Sequence, residues 1–110
     1  MTTGFRIHPS APLLERELLE AFRSQAASQL SDSMSRSRTG GAALRPMHAG
    51  GPLCGPALTV RVAPGDHLMA QKALDLARPG DVIVIDAGGR LDVAIMGGIM
   101  YAYAALRGGV

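Results

Sequence analysis

A chain of 110 residues has the length for one domain with a single core. Hydrophobic residues make up 47% of the sequence and charged residues 18%, which excludes a disordered composition. Its eleven lysines and arginines form no run and Trp is absent, which argues against a nucleic-acid partner.

The first half of the sequence predicts a helical segment over about residues 11–35. Ser10 and Pro12 are typical of a helix start, and apolar residues then recur at helical spacing: Leu14, Leu18 and Phe22. A second helical piece is predicted over residues 25–34. Residues 36–52 are rich in Gly, Ser and Pro, which indicates an irregular segment.

The second half, about residues 53–110, predicts a β/α core. The stretch "PALTVRVAP" alternates in polarity, so Leu58, Val60 and Val62 should share the buried face of a strand. Asp66 is the expected N-cap of a helix that runs to Ala77, with four buried positions: Met69, Ala73, Leu76 and Ala77. The run "VIVI" (82–85) is apolar on both faces and predicts a central strand.

The chain then turns at "DAGGR" and predicts a third short strand, "VAI" (93–95), and a last helix. The buried stripe of this helix should comprise Ile99, Ala102, Tyr103 and Leu106. Gly108 and Gly109 should end it. The order of elements predicts a single α/β domain over residues 1–110.

Most polar residues are better explained by ordinary structural roles than by chemistry. The glycines of "GGPLCG" (50–55) precede a strand and are typical of turns, not of a phosphate-binding loop. The three histidines are far apart, so the residues themselves predict no metal site. Asp32, Asp86 and Asp92 are favoured as solvated or turn carboxylates. We assign no catalytic residue.

Two further features bear on the compartment. Cys54 is the only cysteine, which favours a reducing compartment. The uncharged stretch 93–106 is too short to cross a bilayer, which takes ~20 residues. We therefore expect a cytoplasmic protein without a membrane partner.

The stretch "MGGIM" (96–100) carries the one candidate site. Gly97 and Gly98 follow a predicted strand and let the backbone turn tightly and approach a ligand. Ile99 and Met100 then open a helix whose first amides have no partner inside it, which favours binding of an anion such as a carboxylate. The alternative is that both glycines only permit close packing of strand and helix.

Three motifs together resemble the RraA-like family: "QLSDSMSR" (29–36), "GPALTVRVAPGD" (55–66) and "PGDVIVID" (79–86), followed by the "GGIM" helix. The resemblance covers about residues 27–110. It implies a swivelling β/β/α domain, a homotrimer or hexamer, and a site between subunits. It also implies an Mg²⁺- or Mn²⁺-dependent aldolase that releases pyruvate from 4-hydroxy-2-oxo acids, or an oxaloacetate decarboxylase. The family also includes a regulator of ribonuclease E, so a non-catalytic protein-binding role is the alternative.

Transferred onto this sequence, the resemblance makes Gly97 the motif glycine and Ile99 and Met100 the amide donors to a substrate carboxylate. Two departures follow. Gly98 stands where the family usually has an acid or amide, and the sequence ends at Val110, before the family's Arg–Asp segment. The expectation is therefore a domain incomplete at its C-terminal end, with no metal ligand in this chain and negligible turnover by the chain alone.

Overall fold

The computed structural model describes residues 6–107 of the chain, so the predicted ending of the last helix at Gly108 and Gly109 lies outside the described residues. The chain divides into two compact units. Within the described residues, one comprises residues 14–54, and the other comprises residues 6–13 together with residues 55–107.

The unit of residues 14–54 contains two short helices, α1 (Arg16–Arg23) and α2 (Ala27–Ser33). Helix α1 begins later than Pro12 predicts, because its first hydrogen bond runs from the Leu19 amide to the Glu15 carbonyl. The segment after α2 contains no helix or strand as far as Cys54, which confirms the predicted irregular stretch. The carboxylate of Asp32 is exposed and pairs with Arg36 at 2.7 Å, which confirms its interpretation as a solvated acid.

The other unit contains a parallel β–α–β arrangement followed by a helix. The elements are β1 (Ala57–Arg61), α3 (Leu68–Leu76), β2 (Val82–Asp86) and α4 (Gly98–Leu106). The two strands pair in parallel, with Ala57 opposite Val82 and Arg61 opposite Asp86. Parallel strands need a crossover connection, which α3 supplies. The α/β prediction is therefore confirmed at this level.

The core of this unit forms around α3, which packs against β1, β2 and α4. Its buried apolar residues are small for the most part: Val62, Ala70, Ala73, Leu74, Ala77 and Ala104. The prediction of buried positions on α3 is right at Ala73 and at Ala77, which directly follows the helix. It wrongly includes Leu76, and it omits two buried residues, Ala70 and Leu74. Because three elements contact α3, its buried surface is wider than the single stripe expected of an amphipathic helix.

The predicted third strand at residues 93–95 is wrong. Within residues 6–107 the sheet has two strands, and the chain bends between Leu91 and Val93. Gly88 and Gly89 both have positive φ, at 72° and 71°, which reverses the chain directly after β2. Without a third strand in the described part, β2 has a neighbour on one side only and Val84 is 49% exposed. The prediction of a central strand therefore does not hold there.

The predicted buried stripe of α4 is also wrong. Ile99 is 89% exposed and Leu106 is 86% exposed, whereas Ala104 is the buried residue of this helix. Among the described elements α4 packs only against α3, so a narrow strip of its surface is covered. An apolar helix pattern predicts burial but does not indicate which neighbour supplies it.

The turn between α3 and β2 depends on a buried carboxylate. Asp81 is 6% exposed, and its Oδ2 accepts a hydrogen bond from the Arg78 amide at 2.8 Å. The Arg78 side chain lies against the same oxygen, with 3.5 Å between Nε and Oδ2. A buried carboxylate is tolerated when it is paired and hydrogen-bonded. Asp81 thus fixes the chain reversal that brings β2 beside β1.

Candidate functional site

The site predicted at "MGGIM" lies at the amino end of α4. The first hydrogen bond of the helix runs from the Tyr101 amide to the Gly97 carbonyl at 3.1 Å. The amides of Gly98, Ile99 and Met100 therefore precede the helical ladder, as the first amides of any helix do. No hydrogen bond between described residues uses these three amides, so none is consumed by the sheet.

The tight turn expected at the two glycines is not found. Gly97 has φ −117° and ψ 176°, which is extended backbone open to any residue, and Gly98 is the first residue of α4. A Cβ added at either glycine meets nothing within 4 Å among the described atoms. The two glycines therefore neither strain the backbone nor allow another segment of this unit to approach closely. The alternative, that they only permit close packing of strand and helix, gains no support either.

The segment before α4 is tied to the beginning of α3. His67, the residue that precedes α3, donates from Nδ1 to the carbonyl oxygen of Ile95 at 3.2 Å. Asp66 accepts a hydrogen bond from the Leu68 amide at 2.9 Å. The predicted capping by Asp66 is thus confirmed for one amide, although His67 occupies the N-cap position. The amino ends of the two helices lie side by side.

The opposite ends of the same two helices are joined as well. The Tyr103 hydroxyl donates to the Asp75 carboxylate at 2.9 Å. The Arg107 guanidinium donates to the carbonyl oxygens of Asp75 and Ala77, at 3.0 and 3.2 Å. A cation at a helix C-terminus stabilises the last carbonyls. With contacts at both ends, α3 and α4 run parallel, and the amides of α4 open at the same end of the unit as those of α3.

The carboxyl ends of both strands carry an ion pair. Arg61 Nε donates to Asp86 Oδ2 at 2.9 Å, and Asp86 Oδ1 accepts the Gly88 amide at 3.0 Å. The Gly88 amide and, next, the Arg61 side chain hold the pKa of the Asp86 carboxyl below its ordinary value. Asp92 is similarly held by Arg90, whose hydrogen bond lowers the pKa of that carboxyl. Both acids therefore have the turn roles expected of them.

The described residues do not form a metal site. Within residues 6–107 no three His, Cys, Asp or Glu side chains lie close enough together to hold an ion. Asp86 and Asp92, the acids nearest in sequence to "MGGIM", are each engaged by an arginine. A hard divalent cation takes several oxygen ligands, and this arrangement does not supply them. We therefore assign no ligand and no reaction step to a metal here.

Sequence reasoning missed His67 as a neighbour of the candidate site, and it missed the pairing of Arg61 with Asp86. A signal for both was present, since ligand sites of parallel sheets lie at the carboxyl ends of the strands. Arg61 is the last residue of β1 and His67 lies in the loop that follows it. Arg61 is paired with Asp86 across the sheet, and His67 contacts the segment before α4.

Comparison with known proteins defines the class of this chain. The sequence model of the family described as "RraA-like: Aldolase/RraA" matches residues 27–110. The chain belongs to this family. It is also 36% identical over 94 residues to a protein of Halalkalibacterium halodurans named "Putative 4-hydroxy-4-methyl-2-oxoglutarate aldolase". That alignment covers 86% of this chain and 45% of the relative, so the chain spans about half the length of the curated relative it matches.

No solved structure matches the chain significantly. The swivelling arrangement implied by the resemblance therefore stays a prediction. Among the described helices none has the length and apolar character needed to cross a membrane.

Proposed function

We propose that the protein is a carbon–carbon lyase that acts on 4-hydroxy-2-oxo acids, with 4-hydroxy-4-methyl-2-oxoglutarate as the leading candidate substrate. The observation that carries this proposal is the family match over residues 27–110, together with the name of the 36% identical relative. In the reaction the bond between C3 and C4 breaks, the 4-hydroxyl loses its proton, and the enolate of pyruvate takes one up. Oxaloacetate, which gives the same enolate by losing CO₂, is the second candidate substrate.

The amino end of α4 is the proposed carboxylate-binding element. Ile99 and Met100 supply two amides that no described residue engages, and the positive end of the helix dipole favours an anion. The exposed side chain of Ile99 leaves this end of the helix accessible. We propose that Gly97, Gly98, Ile99 and Met100 bind the carboxylate next to the 2-oxo group and so orient the bond that breaks.

The proposal includes a divalent metal and an oligomeric assembly. The resemblance implies Mg²⁺ or Mn²⁺. Because no group of three potential ligand side chains lies within residues 6–107, at least part of the ligand set would have to come from other residues. The resemblance also implies a trimer or hexamer. The exposed apolar side chains of α4, among them Ile99, Tyr101 and Leu106, favour contact with further protein because large exposed apolar surfaces commonly mark interfaces.

The test is a pyruvate-release assay with 4-hydroxy-4-methyl-2-oxoglutarate and with oxaloacetate. It compares the 110-residue chain with a form that continues with any residues following Val110 in the gene, each with Mg²⁺ and with chelator. We expect negligible release by the chain alone and chelator-sensitive release by the continued form. Strong chelator-sensitive activity of the chain alone would place metal ligands within residues 1–110 and overturn the site assignment.

A matched pair of variants at one position tests the role of the amides. Ile99→Pro removes one amide donor at a first-turn position where proline is tolerated, whereas Ile99→Ala keeps it. Loss of a hydrogen bond to a charged group costs about 1.5–3 kcal/mol, so KM of the active form should rise at least about tenfold for Ile99→Pro only. Equal effects of both variants would contradict amide binding. Absence of turnover in every form, with all candidate substrates, would favour the ribonuclease-regulator alternative.

A further inference from the structure

The outer edge of β1 has free backbone groups in a fixed pattern. The Val82 amide donates to the Pro56 carbonyl at 2.8 Å, and the Val62 amide donates to the Asp86 carbonyl at 3.0 Å. Because backbone groups alternate in direction along a strand, those of Leu58 and Val60 also face β2. The groups of three other residues point the opposite way: Ala57, Thr59 and Arg61. No hydrogen bond within residues 6–107 uses their amides or carbonyls on that side.

This edge lies along a groove of about 880 Å³. Residues 6–11 line one part of it, and α3 contributes Met69, Lys72 and Leu76. Residues 6–11 form no helix or strand, and Arg78 holds the Ala11 carbonyl through Nη2 at 3.2 Å. The volume is within the range of ligand-binding clefts. All of β1 lines the groove, and among residues 6–107 this strand has no partner on its outer side.

The charges around the groove are mainly positive. Arg6 and Lys72 line it and form no ion pair with any residue between 6 and 107. Arg61 is balanced by Asp86 at 2.9 Å. The one carboxylate in the lining, Asp66, is engaged by the Leu68 amide. Two unbalanced cations beside a free strand edge favour an occupant with negative side chains.

We propose that the groove binds an extended acidic peptide of a partner protein by strand addition to β1. Main-chain hydrogen bonds to Ala57, Thr59 and Arg61 give affinity in this mode of recognition, and alternate side chains give selectivity. Acidic side chains of the peptide are balanced by Arg6 and Lys72, the two free cations of the groove. This interaction surface is independent of the proposed lyase activity, since it uses the edge of the sheet and not the amino end of α4.

The test uses a labelled hexapeptide of alternating valine and glutamate, titrated with the whole 110-residue chain and followed by fluorescence anisotropy. Thr59→Pro removes an outward amide without touching the bonds to β2, and Thr59→Val keeps that amide. We expect affinity to fall about fivefold or more for Thr59→Pro and to stay unchanged for Thr59→Val. Lys72→Glu should weaken binding, whereas Arg38→Glu, in the other unit, should not.

A second measurement keeps the proposal testable if Thr59→Pro fails to fold. Hydrogen exchange of the unaltered chain should slow at the amides of Thr59 and Arg61 when the peptide is added, with no change at Leu58 or Val60. Equal binding of a valine–lysine hexapeptide, or uniform exchange along β1, would overturn the proposal. So would a dimer in sedimentation that Thr59→Val preserves and Thr59→Pro separates, because a second copy would then occupy this edge.

Discussion

His67 and Ile95 join two segments that are far apart in the sequence. The imidazole Nδ1 lies 3.2 Å from the Ile95 carbonyl oxygen. A carbonyl oxygen only accepts, so Nδ1 carries the proton in this contact. The bond fixes the loop after β1 to the segment that leads into α4. The position of the α4 amides therefore depends on a side chain that lies just before α3.

Replacing His67 with alanine should loosen the beginning of α4. The lost hydrogen bond contributes about 0.5–1.5 kcal/mol, and we expect faster hydrogen exchange at the amides of residues 95–100. His48→Ala is the matched control, since the His48 ring also contacts a carbonyl, that of Gly51 at 3.0 Å, but within the other unit. Indistinguishable exchange at residues 95–100 in both variants would show that His67 does not position this segment.

Gly98→Ala should be tolerated and should stabilise α4. Nothing lies within 4 Å of a Cβ added there, and alanine exceeds glycine in helix propensity by up to about 1 kcal/mol. Gly88→Ala is the opposite case, because Gly88 has φ +72° and left-handed backbone costs an alanine roughly 1–2 kcal/mol. Urea unfolding measures both changes. A destabilised Gly98→Ala protein would indicate that this glycine has a backbone or packing role after all.

Asp81 should be among the most sensitive polar positions in its unit. Asp81→Ala leaves the buried end of the turn without an acceptor for the Arg78 amide, and we expect a loss of about 1–3 kcal/mol in the free energy of unfolding. Asp81→Asn keeps an oxygen acceptor and should cost less. Asp92→Ala, at an exposed ion pair, serves as the surface control. Equal losses for Asp81→Ala and Asp92→Ala would contradict the role given to the buried carboxylate.

Acid should break the ion pair between Arg61 and Asp86 at the carboxyl ends of the strands. The pKa of the Asp86 carboxyl is lowered from its ordinary value of 3.8 by the Gly88 amide and by Arg61. A lowered pKa means that the contact stabilises the folded state above pH 3.8 and that this contribution is lost as the pH falls through the folded-state value. NMR should show the Asp86 carboxyl and the Gly88 amide titrating together below pH 3.8. The Gly88 shift should vanish in Asp86→Asn, and titration of Asp86 at or above 3.8 would contradict the assignment.

The local patterns of the sequence predicted which helices and strands form better than they predicted which residues are buried. Alternation in "ALTVR" identified β1, because a half-buried strand has a two-residue period. The short run of β-branched residues "VIVI" identified β2. Burial depends on neighbours that a local pattern does not reveal. Ile99 and Leu106 belong to an apolar helix, yet they are exposed because α4 contacts only α3 among the described elements.

The candidate site was predictable in its position but not in its details. The motif "MGGIM" located the amino end of a helix correctly, since α4 begins at Gly98. Its glycines were expected to turn the backbone tightly, and the extended conformation of Gly97 shows otherwise. The neighbours Arg61 and His67 depend on the parallel register of β1 with β2 and on a contact across 28 residues of sequence. The sequence places both residues at or just after the carboxyl end of β1, but spacing along the chain does not show which partners they contact.

The most direct test of the proposed site is an NMR titration of the ¹⁵N-labelled chain with pyruvate, with chloride at equal ionic strength as the control. Binding of a carboxylate at the amino end of α4 predicts saturable downfield shifts of the Ile99 and Met100 amides, with smaller changes elsewhere. Ile99→Pro should weaken the Met100 response, and Ile99→Ala should preserve it. Shifts spread evenly over the chain, or a response concentrated away from residues 97–100, would contradict the proposal that these four residues bind the substrate carboxylate.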